Sequence, residues 1–140
     1  MHYRIEIVSN RFDKTLPAGL DNVNGFCGKD VVLFVVNSIG IDNYEVLNED
    51  WGRGIYKKSD AGILEVTVSD LRPGEPSFGQ ASPLDGPSWC IIITTKVASK
   101  SFLFLTTFLA DRGCEVIGTQ LKDAFLRNGD SVVFSGMESA

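Results

Sequence analysis

Cys90-Ile91-Ile92-Ile93-Thr94-Thr95, followed after a short polar interval by Phe102, Leu105, Phe108 and Leu109, is the stretch on which the fold turns. The first six residues are apolar and β-branched, as in a buried strand. The second set recurs at helical spacing, with Phe104 widening the stripe. Ser99 or Ser101 can cap such a helix and Gly113 can end it. The period therefore changes from strand to helix within a few residues.

Downstream, Cys114-Glu115-Val116-Ile117 reads as a short strand. Thr119 then caps a second helix with Leu121, Ala124 and Phe125 inward, ended by Asn128-Gly129. Val132-Val133-Phe134 reads as the last strand, and residues 137–140 as a tail.

Upstream, residues 72–88 hold four of the five prolines and show neither period. A connection longer than about 12–15 residues is uncommon in a compact domain and often functional. It joins the strand at 90–95 to an alternating strand, Leu64, Val66 and Val68 against Glu65 and Thr67, with one wet face. Residues 37–60 read as loop with one short helical turn or strand. Val31-Val32-Leu33-Phe34-Val35-Val36 reads as a central strand buried on both faces, and Tyr3, Ile5 and Ile7 as a half-buried first strand.

These elements predict an α+β fold: a single domain over residues 1–140, with a mixed, mostly antiparallel β-sheet and two helices of the C-terminal half packed on one face. A step from residue 90 to 117 fits one right-handed parallel crossover. The chain of 140 residues, 44% hydrophobic and 22% charged, is long enough to fold without metal or disulfide. No stretch is specific enough to resemble a known family.

Composition narrows the chemistry. Three separated cysteines, Cys27, Cys90 and Cys114, suit a reducing compartment, and the N-terminus shows no secretory leader. A cytoplasmic location is therefore expected, with no membrane span. The net charge of −5 argues against nucleic-acid binding. The acids concentrate in residues 1–50, where eight stand against four bases.

His2 is the only histidine, so a nucleophile–histidine pair reduces to Cys27 with His2. No Cys or His spacing suits zinc, and Val23 interrupts the acidic run that calcium would need. Glu45, Glu49 and Asp50 read as a solvated loop, and Gly52-Arg53-Gly54 as a turn. Neither a metal nor a cofactor is expected. Glu65 with Asp70 or Asp85 is the carboxylate pair open to inspection for catalysis.

The aromatic residues of the irregular segments point elsewhere. Trp51, Arg53, Phe78, Asp85 and Trp89 cluster around the 37–60 and 72–88 segments, and tryptophan and arginine often anchor interfaces. The opposing reading has these rings plugging the core beneath the loop. The function expected is a small acidic, non-catalytic protein-binding module, of inhibitor or immunity type, that occludes a basic partner protein. The alternatives are a small enzyme or ligand-binding domain using carboxylates or Cys27 in a cleft under residues 72–88, and a structural subunit that self-associates.

Overall fold

A computed structural model describes residues 1–12, 29–49, 52–71, 76–77, 80–81, 88–100 and 105–139. The chain runs β1 (His2–Val8), α1 (Lys29–Ile39), β2 (Glu45–Glu49), β3 (Gly52–Lys58), β4 (Gly62–Leu71), β5 (Pro76–Ser77), β6 (Gln80–Ala81), β7 (Ser88–Lys100), β8 (Thr106–Ala110), α2 (Gly113–Arg127) and β9 (Ser131–Glu138). Seven strands form one sheet in the order β2-β3-β4-β7-β1-β9, with β8 also paired to β7, and β5 and β6 form a separate two-stranded ladder. Every pairing among the described residues is antiparallel, so the parallel crossover expected from 90 to 117 is not formed.

The α+β class and the mostly antiparallel sheet are as the sequence predicts, but the helices lie elsewhere along the chain. The run Val31 to Val36 is helix α1, not a central strand. Its buried residues are Val31, Val32, Val35 and Val36, with Leu33 exposed. That is one helical face hidden inside a continuously apolar run. Gly40, at φ 69°, closes the helix in the left-handed conformation, and its N–H donates to Val36 O at 2.9 Å.

The helix expected through residues 105–110 is strand β8. Two adjacent β-branched residues, Thr106 and Thr107, favour extended backbone there, and pairing with β7 fixes it. The expected strand at 114–117 is instead the first turn of α2. Cys114, Gly118, Leu121, Ala124 and Phe125 line its buried face in one unbroken period. Thr119 does not cap; its hydroxyl donates back to Glu115 O at 2.8 Å. The expected tail is also corrected, because β9 continues through Glu138.

Register stacks the core in rows. Tyr3 pairs with Ile93, which pairs with Val66, which pairs with Ile55. Ile5, Ile91 and Val68 form the next row, and Ile7 and Trp89 a third. Both helices cover this face, where Phe12, Phe34, Phe125 and Trp89 meet edge-on or tilted at 4.8–6.3 Å between centroids.

Candidate functional site

Strand β7 is thirteen residues long, and only its first part is enclosed. Residues 88–93 lie between β4 and β1, whereas 96–100 have β8 on the side that β1 vacates. The β7–β8 hairpin thus reaches past the body of the sheet. Its helix-side row holds Val97 opposite Leu109, 45% and 56% exposed, and Leu105 just before β8 is 63% exposed.

The other side of the hairpin is cationic. Lys58, Ile63, Lys96 and Ala110 form one row across four strands, and Lys100 pairs with Thr106. Between these rows, Phe108 stands opposite Ala98, and Lys58 Nζ lies 5.1 Å from the centroid of its ring. Lys58, Lys100, Asp60 and Phe108 line a shared concavity with Ser59, Ala98 and Thr106. Nearby, Lys57 donates to Asp42 at 3.0 Å and holds that carboxyl below its ordinary value.

The base of the hairpin is clasped. Thr95 Oγ1 donates to Asp111 Oδ1 at 2.5 Å and accepts the Cys114 N–H at 2.8 Å, while the Gly113 N–H donates to Asp111 Oδ1 at 3.2 Å. The first N–H groups of α2 are thereby satisfied although Arg112, at the N-cap, contributes no side-chain cap.

Farther along the same sheet face, away from the helices, Arg4 is paired internally with Glu6 and Glu138. Arg4, 1% exposed, donates to Glu138 at 2.6 Å and Glu6 at 2.9 Å, and its guanidinium lies 4.3 Å from the Phe134 ring centroid. His2 Nε2 stands 3.4 Å from Glu138. Burial pushes the Glu6 carboxyl up, opposed by Arg4 and aided by Glu138. Burial, with Glu6 alongside, also raises the Cys90 thiol. Asp130 accepts from Ser9 at 2.5 Å and pairs with Arg11, tying the end of β1 to the start of β9. Such groups hold elements together.

Of the residues expected to meet a partner, Trp51, Phe78 and Asp85 lie outside the described residues, as does Cys27. Trp89 is 0% exposed beneath the helices, so it anchors the core and presents no ring to a partner. Arg53 is half-buried on β3 opposite Val68, and its Nε has no hydrogen-bond partner among the described residues. Glu65 and Asp70 occupy β4 positions opposite Thr94 and Trp89.

Helical spacing at Leu105 and Leu109 conceals the hairpin in the sequence. The alternation Lys96-Val97-Ala98-Ser99-Lys100 and the Thr106-Thr107 pair carry the signal that finds it. No family model matches the chain, and no curated protein or solved structure is similar to it.

Proposed function

We propose that this chain is a protein-binding module that engages its partner through the β7–β8 hairpin. The observation that supports this is the exposed apolar set Val97, Leu105 and Leu109 on a hairpin reaching past the sheet. Single exposed apolar residues need no explanation, but grouped ones on one element favour an interface. The hairpin is braced at its base by the Thr95–Asp111 clasp, so little order is lost on binding. Occlusion of the partner by this hairpin, as an inhibitor or immunity-type protein would act, is the mechanism that follows.

The test is affinity capture with the intact chain and with Leu105→Glu/Leu109→Glu. Both positions are exposed, so the variant should melt within about 2 °C of wild type. A single protein recovered in stoichiometric amount by wild type and lost by the variant supports the reading. Bait alone, or equal recovery by both, counts against it.

A further inference from the structure

Among the described residues, the outer edge of β8 is an unpaired strand edge with a definite hydrogen-bonding pattern. The Asp111 N–H donates to Thr95 O at 3.3 Å, and the Ala98 N–H donates to Ala61 O at 2.9 Å, on the β4 side. With antiparallel alternation, Thr107 and Leu109 therefore direct their backbone groups toward β7. Thr106, Phe108 and Ala110 direct theirs outward. Among the described residues no strand pairs with that edge. Thr106, Thr107, Leu109 and Ala110 are all exposed. Strand β9, which flanks β1, ends at Glu138 opposite His2.

The other sheet edges are blunted. Strand β2 begins and ends in glutamate, Glu45 and Glu49. Strand β9 carries a register shift between Glu6 and Ile7 of its partner, a bulge that interrupts regular pairing. The β8 edge has neither device.

We infer that β8 receives an extended, acidic segment of the partner protein as an added antiparallel strand, with Thr106, Phe108 and Ala110 making the backbone bonds. This rests on the hairpin being the binding surface. The charge sign comes from the rows beneath the edge. Lys96 sits beside Ala110 and Lys100 beside Thr106, on the same side of the sheet as Lys58. The intervening alanine and threonine are small, so the lysine stems can lie over them and meet acids on a strand one position further out. On the opposite side, Leu109 and Val97 favour apolar residues at the alternate positions of that strand. The partner segment thus alternates acidic and apolar side chains. Its sign is the reverse of the basic partner expected from the net charge of −5.

A second copy of this chain fits poorly. Antiparallel pairing of two β8 edges about Phe108 would set Lys96 of one copy toward Lys100 of the other on the same sheet side. The two lysines then stand at the ends of one row, separated by Ala110 and Thr106, and the pairing supplies neither with an acid.

The experiment uses the full chain and two blocked seven-residue peptides, one alternating glutamate with valine and one lysine with valine. Amide hydrogen exchange is followed by NMR. The glutamate peptide should slow exchange at Thr106, Phe108 and Ala110 by about tenfold or more, and should bind at least about tenfold more tightly than the lysine peptide. Lys96→Glu/Lys100→Glu should reverse that preference. Unchanged exchange at the three amides in millimolar glutamate peptide overturns the inference. So does equal affinity for the two peptides, or slow exchange in the free protein together with a concentration-dependent doubling of mass. If capture still depends on Leu105 and Leu109 when the peptide test fails, only the strand-addition inference falls and the hairpin reading stands.

Discussion

Gly118, in the middle of α2, lies against the ring of Tyr3 on β1, where a Cβ would overlap the ring carbons. The absence of a side chain at 118 is what lets the helix settle on the sheet, and it explains a glycine inside an otherwise regular helix.

On an exposed helix a Gly→Ala change gains about 1 kcal/mol from propensity. Gly118→Ala should instead destabilise by about 2 kcal/mol, because overpacking exceeds that gain. In a Tyr3→Leu background the same substitution should cost less or become stabilising. Urea denaturation of the four chains measures the coupling; additive effects would show that Tyr3 is not the obstacle.

Glu6 shares its buried setting with Arg4, Glu138 and Cys90, and burial raises its carboxyl pKa. A raised carboxyl binds its proton more tightly in the folded than in the unfolded chain. Stability referred to this group therefore falls as pH rises from the ordinary glutamate value of about 4.3 through the raised one. Glu6→Gln removes that dependence. Wild type should lose stability relative to Glu6→Gln as pH rises through this window, in parallel thermal melts. A constant gap between the two would show that Glu6 titrates alike in both states.

Thr95 serves two elements, accepting the Cys114 N–H and donating to Asp111. Thr95→Val keeps the shape and loses both bonds, and should cost about 1 kcal/mol, as the loss of a helix cap does. Exchange of the Cys114 amide should accelerate before the helix interior is affected. Equal protection in both proteins would show that the hydroxyl does not cap α2.

Much of this molecule follows from short-range pattern. The alternation Tyr3-Arg4-Ile5-Glu6-Ile7 gives a strand, and Leu64 to Val68 another, because side chains on a strand alternate between faces. The α+β class follows from the mixture of periods.

Tertiary contact decided the rest. The run at 31–36 satisfies strand and helix patterns equally, since an unbroken apolar stretch has no period to read; packing of α1 on the sheet face selects the helix. Leu105, Phe108 and Leu109 have helical spacing, yet pairing with Lys96–Lys100 draws Phe108 and Leu109 into β8, with Leu105 just before it and Leu109 exposed. Trp89 lies in the core and Leu105 and Leu109 on the surface for the same reason. Whether a large apolar side chain is core or surface depends on which strand lies beside it, and that is fixed by pairing between residues distant in sequence.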